Sequence, residues 1–111
     1  MRSITNKVQL IGNLGQEPEI VNLDSGKKLA KFSIATNDYY YNKAGDKITD
    51  TQWHNIIAWG KTAEIIEKYV EKGQEVAIEG KLTSRSYDDT EGNKRYITEV
   101  VCNELLMLRN K

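Results

Sequence analysis

The stretch Thr51-Gln52-Trp53-His54-Asn55-Ile56-Ile57-Ala58-Trp59-Gly60-Lys61 limits the fold more than any other part of this chain. It is short, and it is rich in aromatic and β-branched residues, which favours a strand over a helix. In a strand, successive side chains point to opposite faces. Thr51, Trp53, Asn55, Ile57 and Trp59 then share one face, and Gln52, His54, Ile56 and Ala58 share the other. Both tryptophans of the chain fall on one face, with Lys61 just beyond its end. A strand of this kind needs a sheet around it.

The flanking sequence supplies one. Asn6 to Leu14 reads as a strand in which Val8, Leu10 and Gly12 alternate with Lys7, Gln9 and Ile11. Glycine inside a strand marks a bulge or close approach, and Gly12, Gly15 and Pro18 read as fold punctuation. The glycines precede no helix, so they form no phosphate loop. Ile20 to Leu23 is a short extended piece, and Asp24-Ser25-Gly26-Lys27 is a turn. Leu29 to Asn37 is a long strand with Ala30, Phe32 and Ile34 on one face. Tyr39-Tyr40-Tyr41 follow, and three adjacent tyrosines cannot all enter one core. Exposed rings beside the polar tip Asn42–Lys47 suggest a contact surface.

Lys61 to Lys72 carries helical spacing, with Ile65, Ile66, Tyr69 and Val70 as its expected core stripe and Gly73 as its stop. Glu75 to Tyr87 is a strand with Val76, Ile78, Gly80 and Leu82 expected inside and Thr83, Arg85 and Tyr87 outside. Asp88 to Lys94 is a hairpin connection. Arg95 to Cys102 is the last long strand, and Asn103 to Leu108 a final extended piece. Five strands with a helix between the third and fourth match an all-β class, the five-stranded Greek-key barrel of the OB-fold, one face of which commonly binds oligonucleotides.

Composition excludes several classes of function. At 111 residues the chain is one domain, residues 1–111, large enough to bury a core without a metal or disulfide. Its single Cys102 forms no internal bridge and is expected as a small buried hydrophobe. His54 has no second histidine, and no Cys–His pair or metal site can be assembled around it. Asp38, Asp46, Asp50, Asp88 and Asp89 sit in or beside turns, where carboxylates serve mostly as solvated turn residues. No enzyme, metal or cofactor is expected. No apolar run reaches membrane-spanning length, and Met1-Arg2-Ser3 is too short for a transit leader. The expected location is cytoplasmic and nucleoid-associated.

Sixteen basic residues balance sixteen acidic ones, so a polyanion would have to be held by charges sorted in space and by aromatic contact. Indole and phenol rings can stack on any nucleobase, while lysine and arginine track the phosphates. Trp53, Trp59, Tyr40 and Tyr87 are the candidate platform, and Lys43, Lys61, Lys72 and Arg85 the candidate phosphate contacts. The pattern alone leaves each tryptophan either a core residue or a platform.

The chain resembles the bacterial single-stranded DNA-binding protein family over essentially its whole length. The resemblance runs through Asn6–Glu19, through Trp53-His54-Asn55-Ile56-Ile57-Ala58-Trp59-Gly60-Lys61, and through Tyr69-Val70-Glu71-Lys72-Gly73. It continues in Ile78-Glu79-Gly80-Lys81-Leu82 and Arg95-Tyr96-Ile97-Thr98-Glu99-Val100. It implies a non-catalytic OB-fold homotetramer that coats single-stranded DNA in replication, recombination and repair. The family's stacking aromatics fall on Tyr40, Trp53, Trp59 and Tyr87, with tyrosine at two positions where tryptophan is frequent. Its basic contacts fall on Lys43, Lys61, Lys72 and Arg85, and its subunit interface on Lys7, Gln9 and His54. Family members usually continue into a flexible linker and an acidic tip that recruits replication and repair proteins. This chain stops at Arg109-Asn110-Lys111, so the residues present lend such recruitment no support. A primosome-type accessory protein, acting mainly through protein partners, is the alternative expectation.

Overall fold

The structure, a computed structural model, describes residues 4–108; Met1-Arg2-Ser3 and Arg109-Asn110-Lys111 lie outside the described residues. The elements run β1 (Val8–Leu14), β2 (Glu19–Asn22), β3 (Lys28–Tyr41), β4 (Lys47–Trp59), α1 (Gly60–Tyr69), β5 (Glu75–Asp88) and β6 (Lys94–Met107). The sheet order is β1-β5-β6-β4-β3-β2, and a further pairing of β1 with β3 closes it. Five strands therefore form the barrel, and β2 is a short edge strand on β3. The expected all-β barrel with a single helix is what forms.

Alternation puts the core where the residue pattern indicates. Ala30, Phe32 and Ile34 of β3, Ile56 and Ala58 of β4, and Val76 and Ile78 of β5 are buried together. Cys102 of β6 joins them as a buried free thiol. The two strand ends read as separate segments, Arg95–Cys102 and Asn103–Leu108, belong to one strand. A register shift separates them: Glu79 pairs with Glu104 but Gly80 with Cys102, leaving Asn103 as the extra residue. At that crossing a β-carbon on Gly80 would come within 2.0 Å of the Val101 carbonyl oxygen. Gly12 has the same role where β1 meets β3, with the Ala35 carbonyl oxygen 2.3 Å from a β-carbon placed there. Closing the barrel requires both close approaches.

Three hairpin tips share one geometry. In Leu23–Lys27, Asn42–Asp46 and Asp89–Asn93 the first residue's N–H donates to the fifth residue's carbonyl. Each has glycine fourth, at φ 89°, 85° and 82° for Gly26, Gly45 and Gly92, a left-handed conformation that glycine takes without penalty. Asn42 Oδ1 accepts from the N–H groups of Ala44 and Asp46, and Asp89 Oδ1 accepts from those of Glu91 and Asn93. These side chains therefore complete two of the tips.

The helix is shorter than its periodicity implies, and its buried stripe is narrower. Ala63, Ile66 and Val70 are buried, whereas Ile65 and Tyr69 are exposed, contrary to the expected stripe. A barrel end accepts only the residues at i, i+3 and i+7 here, and Lys28 of β3 adds an ion pair to Glu67 at the rim. Leu82 is also exposed rather than inside. It lies on the stretch of the β5–β6 ribbon that begins to leave the barrel. Past Asn37 on β3 and past Thr83 on β5 both ribbons are exposed to their tips.

Candidate nucleic-acid interface

The β3–β4 ladder sets the site. Its register pairs Leu29 with Trp59, Lys31 with Ile57, Ser33 with Asn55, and Ala35 with Trp53. These residues form the outer face, and the alternate set, including His54, Ile56 and Ala58, turns toward the core. Trp53 is 60% exposed and Trp59 44% exposed, so neither indole is a core residue. They lie six residues apart on one strand, roughly 20 Å at ~3.3 Å per residue, and so offer two separate stacking surfaces.

Trp53 is seated by a glycine. Gly15, whose N–H donates to the Ser33 carbonyl, leaves room for the six-membered ring of the indole. A β-carbon at Gly15 would come 2.5 Å from Cζ3 and 2.8 Å from Cη2. On its other side the strand carries His54, half-buried, with Nε2 3.0 Å from Thr36 Oγ1.

Arg85 and Glu99 close the groove from the β5–β6 side. Thr83 pairs with Glu99 and Arg85 with Ile97, so all four share one face. Arg85 Nε donates to Glu99 Oε1 at 3.1 Å, and Nη2 donates to Oε2 at 3.4 Å. The hydrogen bond and the negative charge of Glu99 together raise the Arg85 pKa above its ordinary value. Between Arg85 and the outer face of β3–β4 lies a cleft of about 350 Å³, lined among others by Lys31, Ser33, Asn55, Glu17 and Glu19. A second recess, of about 470 Å³, shares Lys31, Ile57, Arg85 and Glu99 with the first and is bordered by Trp59 and Leu29. Trp59 and Arg85 thus meet in one depression.

The other candidates are spread more widely. Lys61 stands in the first turn of α1, two residues past Trp59. The chain turns there at Gly60, with φ 61°. Lys72 follows the helix, and its backbone N–H donates to Glu17 Oε1, which ties that turn to the rim of the cleft. Tyr87 is 47% exposed and shares the Arg85 face, farther out along the ribbon beside Arg95. Lys43 is at the β3–β4 tip.

Tyr40 is the exception. It pairs with Ile48, and the unbroken register gives it the parity of Ile34, opposite to Trp53. Tyr39 and Tyr41 have the parity of Trp53. Tyr40 is 55% exposed all the same, because the ribbon at this point has no core on either side. Tyr39 carries Lys47 over its ring, with Nζ 4.3 Å from the centroid.

Of the expected interface residues, Lys7 Nζ lies 3.6 Å from Glu79 Oε1, and Gln9 pairs with Glu79. Both are on the outer side of β1–β5, next to exposed Ile11 and Leu106. His54 belongs to the core-facing side of β4 and does not share that patch. Two functional neighbours were not singled out in the sequence. Glu99 gave no warning of its burial, and Gly15 read only as fold punctuation.

No three His, Cys, Asp or Glu side chains among the described residues converge as a metal site, and no helix among them is long and apolar enough to cross a membrane.

Comparison with known proteins agrees with this geometry. A single-stranded DNA-binding protein 1 of Chlorobaculum tepidum is 45% identical over 107 residues, covering 96% of this chain and 66% of that protein. The single-stranded DNA-binding protein of Bacteroides thetaiotaomicron is 47% identical over 108 residues, covering 96% of this chain and 67% of the relative. The chain thus spans about two thirds of the length of these relatives. Among solved structures, Plasmodium falciparum SSB in complex with ssDNA superposes with a TM-score of 0.86 at 33% identity, over 94% of this chain and 95% of that one. A deletion mutant of the single-stranded DNA binding protein from Thermus aquaticus gives 0.81 at 25% identity, over 96% of this chain and 51% of that one. The model of the single-strand binding protein family matches residues 5–108. With an OB barrel carrying two exposed indoles on its groove face, the chain belongs to the single-strand binding protein family.

Proposed function

We propose that this protein binds single-stranded DNA without regard to base sequence and coats it during replication, recombination and repair. The observation that carries this reading is the exposure of Trp53 and Trp59 on one face of β4. An unpaired base can lie flat on such a ring, and every base has a face that stacks. Bases inside a duplex cannot reach the rings without being flipped out. Lys61, Lys72 and Lys43 supply phosphate contacts along the strand path, while Tyr87 extends the stacking surface along the β5–β6 ribbon and Tyr40 offers a further exposed ring on the other side of the β3–β4 ribbon. The relatives favour strand binding over a primosome-type accessory role, and the protein acts as a binder with no catalytic step.

The assembly proposed with this function is a homotetramer, in which the outer face of β1, β5 and β6, with Ile11, Leu106 and Lys7, meets other copies. Exposed Ile11 and Leu106 support this.

The deciding experiment is tryptophan fluorescence during titration with oligo-dT, repeated with the matching duplex. Strong quenching by the single strand alone supports the reading. Absent quenching in a folded protein overturns the platform.

A further inference from the structure

Arg85 stands at the junction of both groove recesses and has the look of a phosphate contact, yet its charge is already spoken for. Two of its N–H groups, on Nε and Nη2, are held side-on by the two oxygens of Glu99. Glu99 is 5% exposed, whereas the Arg85 side chain is about half exposed. The carboxylate is therefore the fixed partner and the guanidinium the presented one. The same cleft holds Glu17, Glu19 and Lys31. With Glu99 its carboxylates outnumber its cations, which is a poor environment for a further phosphate.

We propose that Glu99 is a positioning residue that cancels the charge of Arg85 and fixes its plane, so that Arg85 meets the strand as a neutral donor surface rather than as a phosphate-neutralising cation. Side-on pairing through Nε and Nη2 leaves the remaining N–H groups, two on Nη1 and one on Nη2, directed away from Glu99. They suit the carbonyl oxygens and ring nitrogens of bases entering the groove. The phosphates then run past the lysines instead. This inference rests on the single-strand-binding reading and assigns one of its residues a different task.

The salt dependence of binding separates the two tasks. Each phosphate neutralised contributes about 0.7 to the log–log slope on single strands. A charge already cancelled inside the protein contributes nothing. Oligo-dT affinity is measured against salt for wild type, E99Q, R85Q and the R85Q/E99Q double variant, with folding checked by circular dichroism.

Three results are expected. E99Q steepens the slope by about 0.7, because Arg85 is released to take a phosphate. The double variant keeps the wild-type slope. R85Q alone, which leaves a buried carboxylate unpaired against the strand, loses more than about tenfold in affinity, and adding E99Q restores part of it. A slope about 0.7 shallower in the double variant would show that Arg85 neutralises a phosphate despite Glu99, and an unchanged slope in E99Q would show that Glu99 withholds no charge from the strand; either result overturns the proposal. Should R85Q fail to fold, the E99Q slope decides alone. Failure of the wild type to bind oligo-dT at all would instead remove the single-strand-binding reading, and this inference with it.

Discussion

Gly15 and Trp53 occupy one site: the six-membered ring of the indole fills the space that a β-carbon on Gly15 would need, 2.5 Å from Cζ3. The obstacle is the end of a side chain rather than backbone, so the ring can move, and the fold does not depend on it. Gly15→Ala should therefore displace the platform while leaving the barrel intact. Trp53→Ala removes the ring and should cost about 1–3 kcal/mol of strand affinity. The expected result for Gly15→Ala is a smaller loss of oligo-dT affinity with an unchanged melting temperature. A fall in melting temperature with full affinity would assign Gly15 to the fold instead.

The two indoles should report separately. Trp59 borders the recess that holds Arg85, and Trp53 lies six residues away on the same strand. With Trp53→Phe and Trp59→Phe each protein retains one indole, and each should still be quenched by oligo-dT. Quenching confined to one variant would show that only one ring lies on the strand path.

Much of this arrangement was legible in the sequence, and what was not follows from geometry. Alternation around Trp53 and His54 gave the two faces of β4 correctly, because a strand's period does not depend on its surroundings. The turn glycines marked the hairpin tips for the same local reason. Ile65 and Tyr69 were misassigned because periodicity shows that a helix has an apolar side without showing how wide the receiving surface is. Leu82 was misassigned because alternation persists where a ribbon leaves the barrel and has no core to enter. Tyr40 was grouped with Trp53 although their parities differ, a relation that becomes visible only once the register of β3 on β4 is known. Glu99 is buried and meets Arg85 across the β5–β6 pairing, a contact between strands that no local pattern contains.

The lysines should set the salt response. Lys61 lies next to Trp59 at the start of α1 and has no ion-pair partner among the described residues. Lys61→Ala should make the log–log salt slope of oligo-dT binding shallower by about 0.7, with modest loss of affinity at low salt. An unchanged slope would take Lys61 off the phosphate path.

Gly80 is a different kind of glycine from Gly15. A β-carbon there meets the Val101 carbonyl oxygen at 2.0 Å and its carbon at 2.8 Å, both backbone atoms beside the Asn103 bulge. Nothing can swing aside. Gly80→Ala should destabilise the barrel by at least the ~1–3 kcal/mol typical of overpacked cores, seen as a lower midpoint in urea unfolding. A wild-type midpoint would mean that the β5–β6 crossing is softer than its geometry implies.

The two long hairpins provide a matched pair for acid titration. Asp89 Oδ1 accepts from the Glu91 and Asn93 N–H groups, and Oδ2 accepts from Arg95 Nε at 2.9 Å. The Asn93 N–H and then the Arg95 side chain hold the carboxyl below its ordinary value of 3.8. A depressed carboxyl favours the folded tip above pH 3.8, and that contribution fades as pH falls through the lower folded value. Asn42 makes the same two backbone contacts with a side chain that carries no charge. Amide exchange at Glu91 and Asn93 should therefore lose protection on acidification below about pH 4, after correction for intrinsic rates, while Ala44 and Asp46 keep theirs. Asp89→Asn should make the second tip behave like the first. Equal loss at both tips in the wild type would mean that acid loosens the ribbons as a whole rather than through Asp89.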